Sequence, residues 1–192
     1  MIFVSINPFA LKRFFFFFLV ALGFSCLSCL GQSIFLSVKS TPYDRQMTRI
    51  HPFLDAEKGS PQAPISLRLV NHWIGDLRTI PYGYTREWKT PAETESGAPA
   101  DCKAKAVALY ERMQSNGASN LRLVIGKHTT HSRSTHAWLE WETDSGSYVL
   151  DPTLNWQAYR AGDLDRRSYI PFYAFEGPRK YRAAQTALLA KN

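Results

Sequence analysis

Asp101-Cys102-Lys103-Ala104-Lys105-Ala106-Val107-Ala108-Leu109-Tyr110-Glu111-Arg112-Met113-Gln114-Ser115-Asn116-Gly117, followed after two residues by Asn120-Leu121-Arg122-Leu123-Val124-Ile125-Gly126, reads as a helix and then a largely buried strand. Val107, Leu109, Tyr110 and Met113 form the apolar face of the helix, Asp101 is its expected N-cap and Gly117 its stop. Cys102 then falls in the first turn. Further on, Thr135 to Glu142 and Ser147 to Asp151 flank Asp144-Ser145-Gly146, a good hairpin turn. Upstream, Ile65, Leu69, Trp73 and Leu77, with Val70 and Ile74, recur every three or four residues between Pro64 and Pro81, the period of an amphipathic helix. Ile80 to Gly97, with Tyr82, Gly83, Tyr84, Trp88 and Pro91, is too broken for a helix and too aromatic for a solvated linker, so an ordered covering loop is expected. The C-terminal part reads as a short helix near Trp156 to Ala161, a strand in Tyr169 to Phe175 and a helix from Pro178 to about Ala190. Helices first and mostly antiparallel strands after them predict an α+β domain.

The 192-residue chain is 45% hydrophobic and 20% charged, which suits one globular domain with a core. Residues 1–33 read as a signal peptide or N-terminal anchor: Lys12-Arg13, then Phe14 to Leu22 without a polar residue, then Gly23, Ser25, Ser28 and Gly31. The apolar stretch falls just short of the roughly 18 residues of a membrane span, which favours cleavage. Neither Cys26 nor Cys29 is preceded by a good lipidation triplet. Residues 34–64, with five Gly and Pro among polar residues, read as a linker or extended arm, and 65–192 as the domain. Removing Lys12 and Arg13 takes the net charge from +7 to +5, carried on scattered residues with no basic run, so no nucleic-acid partner is expected. Membrane contact is expected only through the N-terminal segment.

An exported chain with one remaining cysteine cannot form a disulfide within itself, and Cys102 lies at a helix start with His136 and Asp151 downstream. Peptide N–H groups at a helix N-terminus and an adjacent imidazole both favour thiolate, the attacking form. Asp101 would oppose this if it faced the sulfur, so it should point away and cap the helix. A two-residue turn pairing Thr143 with Gly146 would set Asp151 opposite Trp138 and put His136 and Asp151 on one face, offset by two; a one-residue slip would separate them. The carboxylate could then hold the imidazole while the other ring nitrogen meets the thiol. A competing zinc set, Cys102 with His128, His131 and His136, has no helical metal spacing, and His128 and His131 read as exposed loop residues.

Leu69-Val70-Asn71, Tyr82, Trp88-Lys89-Thr90-Pro91-Ala92-Glu93-Thr94, Asp101-Cys102, Gly117, Leu121-Arg122-Leu123-Val124, His136-Ala137 and Leu150-Asp151, in that order, resemble the bacterial transglutaminase-like cysteine peptidases. The resemblance spans about residues 65 to 155. It implies a papain-like, transglutaminase-type core, with a nucleophile helix packed on an antiparallel β-sheet, and a Cys102, His136 and Asp151 triad. It also implies export to the periplasm or cell envelope and, in one branch, proteolysis of a surface adhesin, so a protein or peptide substrate is expected, a cell-surface protein among the candidates. Trp88 and Trp138 are candidates for lining the substrate or oxyanion site.

Family members commonly carry Gly-Asp-Cys-Glu-Asp at the nucleophile, and in the adhesin-cleaving branch these acids bind calcium. Here Asp101 keeps one acidic position, while Lys103 and Ala104 replace the following two acids. A hard cation wants several oxygen ligands, so no cofactor is expected, with Asp101 the residue left for calcium. The expected activity is a thiol hydrolase acting on a peptide or amide bond through an acyl-enzyme. The alternatives are transglutaminase-type transfer of the acyl group to an amine, and a non-catalytic module binding peptides along Tyr82 to Trp88.

Overall fold

The computed structural model describes residues 34–56, 59 and 65–184. The expected export segment, most of 57–64 and the end of the expected C-terminal helix lie outside the described residues. Within them the chain forms β1 (Phe35–Ser37), α1 (His51–Leu54), α2 (Leu67–Thr79), α3 (Pro91–Glu95), α4 (Cys102–Ser115), β2 (Leu121–Thr129), β3 (His136–Thr143), β4 (Gly146–Leu150), β5 (Tyr159–Arg160), β6 (Ser168–Glu176) and β7 (Arg179–Ala183). The strands make one seven-stranded sheet in the order β1-β7-β6-β2-β3-β4-β5, and every neighbouring pair is antiparallel. The fold is α+β.

Alternation along β2 explains the layers. Leu121, Leu123 and Ile125 join the main core with Val107, Leu109, Tyr110 and Met113 of α4 and Val70, Ile74 and Leu77 of α2, whereas Val124 joins Trp138, Val149, Tyr169 and Ala174 in a second cluster. Both faces of β2 are therefore covered, which is why it reads as a continuous apolar run. Ala104, Ala106 and Ala108, all buried, let α4 approach its neighbours closely. Gly126 marks a register shift between β2 and β6, where a Cβ would meet the Ile170 carbonyl oxygen at 2.1 Å and the Trp138 ring at 2.7 Å.

The β3–β4 hairpin pairs Thr143 with Gly146 and Leu139 with Leu150, the register that sets Asp151 beyond Leu150 opposite Trp138. Three local expectations change. The helix expected from Pro178 is, over the described residues, β7, because Gly177 at φ 57° closes a hairpin with β6 and β1 then pairs Phe35 with Ala183. The helix expected near Trp156 is replaced by β5 and a short 3-10 turn at Ala161–Asp163. The Ile80 to Gly97 loop contains α3, nucleated by a capping box in which Glu93 accepts from Thr90 N–H at 2.8 Å and Glu93 N–H donates to Thr90 Oγ1 at 3.3 Å.

Candidate active site

The first turn of α4 carries Cys102, which is 8% exposed, with Asp101 as its N-cap. Asp101 Oδ1 accepts from Ala104 N–H at 3.1 Å, and Oδ2 accepts from Thr85 N–H at 3.2 Å and from the Lys103 ammonium. Lys103 also donates to the Thr85 carbonyl at 2.9 Å and sits 5.1 Å from the centre of the Tyr84 ring. Asp101 is thus spent on capping and on an ion pair, as the sequence requires of an acid next to a thiol. The Cys102 N–H belongs to the first turn, whose N–H groups have no acceptor within the helix.

His136 opens β3, and its imidazole interacts with the Cys102 side chain, which favours the protonated ring. Its Nε2 lies 2.7 Å from Asp151 Oδ2, which leaves Nδ1 for the sulfur. Asp151 is wholly buried; its Oδ1 accepts from Thr153 N–H at 2.9 Å and Leu154 N–H at 3.1 Å. Tyr169 donates its hydroxyl hydrogen to Asp151 Oδ2 at 3.0 Å while accepting from Asn155 Nδ2 at 2.9 Å. Cysteine, imidazole and carboxylate therefore follow one another in a row from helix to hairpin, with the imidazole hydrogen-bonded to the carboxylate.

The electrostatics follow. Burial pushes the Asp151 carboxyl up, but its bonds to His136 and to the Thr153 and Leu154 N–H groups outweigh that and hold it below the usual carboxylate range. Burial pulls His136 down, yet its bonds to Asp151 and Cys102 and their charges push it up to about 9. The imidazolium form is favoured at neutral pH. Tyr169 is raised by burial and by the Asp151 charge, so its phenol stays a donor.

The other candidates surround this row or lie away from it. Trp138 is wholly buried and stacks on His136 at 6.2 Å between ring centres, so it backs the imidazole and presents no surface to a substrate. Trp88 is 2% exposed within the main core, its Nε1 without a partner among the described residues. His128 is not an exposed loop residue: it is on β2, half-buried, edge-on to His136 at 6.0 Å and to Tyr169 at 5.0 Å. Burial and the His136 charge lower its pKa. His131 is exposed. Among the described residues no three His, Cys, Asp or Glu could hold a metal, and His136 Nε2 is engaged by Asp151. At Asp101, Oδ2 is already bonded to Thr85 N–H and the Lys103 ammonium, and Ala104 adds no carboxylate, so the oxygen ligands a hard cation wants are few there.

Sequence reading missed Tyr169 and two residues that line the cleft beside His136, Arg78 and Lys105. Tyr169 sits at φ 52°, a rare conformation for an aromatic residue, and nothing local announces it. Lys105 could have been found: it lies one turn beyond Cys102 on a helix that is otherwise apolar on that side.

The chain is similar in structure to LapG from Legionella pneumophila. Against the calcium-bound form the TM-score is 0.53 at 18% identity, covering 78% of this chain and 86% of that one. Against the EGTA-treated form it is 0.52 at 18% identity, covering 77% and 81%. The fold is transglutaminase-like. No protein-family model matches the chain, and no curated protein does.

Proposed function

We propose that the chain is an exported thiol hydrolase, a cysteine peptidase or amidase, with Cys102 as nucleophile, His136 as base and then acid, and Asp151 as the orienting carboxylate. The Cys102–His136–Asp151 row, ending on a wholly buried aspartate, carries this reading. His136 takes the thiol proton, and the sulfur attacks the carbonyl carbon of the substrate to form a C–S bond. The oxyanion that develops is held at the N-terminus of α4 by the Cys102 N–H. The His136 imidazolium returns its proton to the leaving nitrogen as the C–N bond breaks. Water, deprotonated by His136, then attacks the acyl carbon; the C–S bond breaks, the acid is released and the Cys102 sulfur leaves as thiolate beside the His136 imidazolium. Lys12-Arg13 and the apolar run after them support export to the periplasm or cell envelope, with a peptide or protein found there as substrate.

Trapping with an acyl-electrophile probe in wild type, Cys102→Ala and His136→Ala tests this. Wild type should label at pH 6 at least about tenfold faster than an ordinary cysteine, His136→Ala should lose that advantage, and Cys102→Ala should not label. Labelling no faster than a free thiol would sink the proposal.

A further inference from the structure

Beside His136 opens a cleft of about 560 Å³ with Arg78, Ile80, Tyr82, Lys105, Thr153 and Trp156 among its lining. Its rim is apolar: Tyr82 is 61% exposed and Trp156 60%. Its floor is cationic. Arg78, in the last turn of α2, donates to the Thr153 carbonyl and lies 4.8 Å from the centre of the Trp156 ring. Lys105, 2% exposed, donates to the Ile80 carbonyl at 2.6 Å and to the Arg78 carbonyl at 3.5 Å.

Neither cation forms a salt bridge among the described residues. The carboxylate whose charge reaches Lys105 is Asp151, already bonded to His136, Tyr169 and two backbone N–H groups. Burial and the Arg78 charge therefore lower the Lys105 pKa. Two further polar atoms of the lining, Arg78 Nε and Thr153 Oγ1, are buried with no partner among the described residues. Buried donors left unpaired cost stability, and an arrangement that leaves a guanidinium N–H and a hydroxyl free beside a second cation suits an anionic ligand.

We infer that this cleft is a subsite for a substrate carboxylate, either an Asp or Glu side chain or a free peptide C-terminus, read by Arg78 with Thr153 against the positive background of Lys105. The inference rests on the thiol hydrolase reading for the purpose of the carboxylate, and deepens it by naming the substrate class. Lys105 is held by the two carbonyls at the end of α2, so it fixes that helix end beside the thiol while its charge favours an anion. Trp156 and Tyr82 would cover the apolar part of the bound peptide. A peptide with Lys or Arg at the same place would meet two uncompensated cations and be rejected.

The full chain carrying Cys102→Ala lacks the nucleophile, so the subsite can be tested apart from turnover. Calorimetric titration would use three peptides: N-acetyl-Ala-Ala-Glu-Ala-Ala amide, its Gln counterpart, and N-acetyl-penta-alanine with a free C-terminus. At least one carboxylate peptide should bind about tenfold or more tighter than the Gln amide, the worth of a charge-assisted bond, and which one does so identifies the source of the carboxylate. Adding Arg78→Gln should erase that preference and Arg78→Lys should keep part of it. Equal binding of all three peptides, binding of none, or a preference that survives Arg78→Gln would overturn the subsite. Slow labelling of wild-type Cys102 with the preference intact would instead overturn the nucleophile and leave a carboxylate-binding cleft.

Discussion

Two buried aspartates flank the thiol, and they are neutralised in different ways. Asp101, 1% exposed, is held by Lys103, the Ala104 and Thr85 N–H groups and the helix it caps. Asp151, wholly buried, is held by His136, Tyr169 and two backbone N–H groups. The Asp101 pair has a lysine ammonium as its cation. The cation of the Asp151 pair is an imidazolium that releases its proton at about 9. One aspartate is therefore part of the frame and the other is coupled to a proton that moves. A thiol between them has its helix end fixed, and in the proposed mechanism its base, His136, exchanges a proton.

Asp151→Asn strikes the coupled side and should have the largest effect. An amide cannot stabilise the imidazolium and can favour the wrong tautomer, so kcat on an amide substrate should fall by about 10³–10⁴-fold. The sign of the pH effect is fixed as well. Asp151 raises His136, so in wild type the stabilising charge pair is fully present below the ordinary imidazole range and is lost as pH rises through about 9. Activity should decline over the same limb, and in Asp151→Asn that limb should move down toward neutrality. A pH profile that does not move would remove Asp151 from any role with His136.

Lys103→Met strikes the fixed side. It leaves Asp101 buried without its cation and should cost about 3 kcal/mol in urea unfolding at pH 7, with the alkaline limb staying near its wild-type position. Because the ammonium already occupies the Asp101 oxygen, neither calcium nor EGTA should move the wild-type unfolding midpoint. A calcium-dependent midpoint would mean that the two aspartates are not neutralised in the way described.

The parts of this arrangement written in local signals were legible in the sequence. Asp101 before an Ala-rich run marks the start of α4, and Asp144-Ser145-Gly146 sets the hairpin register on which the His136–Asp151 contact depends. What was not legible depends on distant partners. The end of the chain looked helical after Pro178 although Gly177 closes a local hairpin with β6; its other partner, β1, lies about 145 residues earlier in the chain. Lys103 looked like a lost calcium ligand, and its use as the cation of Asp101 depends on the Thr85 carbonyl folding over it. His128 looked like a loop histidine because β2 runs three residues past the apolar pattern, to Thr129.

Tyr169→Phe is the smallest of these changes and separates a positioning role from a structural one. The Tyr169 hydroxyl and His136 Nε2 share Asp151 Oδ2. Losing the hydroxyl removes one hydrogen bond and leaves Asn155 Nδ2 without its acceptor, a stability cost of about 1 kcal/mol that packing alone could also produce. The charge of Asp151 would then rest more fully on His136, which would hold its proton more tightly. The alkaline limb should therefore move up from about 9, opposite to Asp151→Asn, while kcat falls by about tenfold or less as the carboxylate loses one of the contacts that aim it. If stability falls and the limb stays in place, Tyr169 only fills space beside Trp138; if the limb rises, the hydroxyl sets how strongly the buried aspartate grips the base.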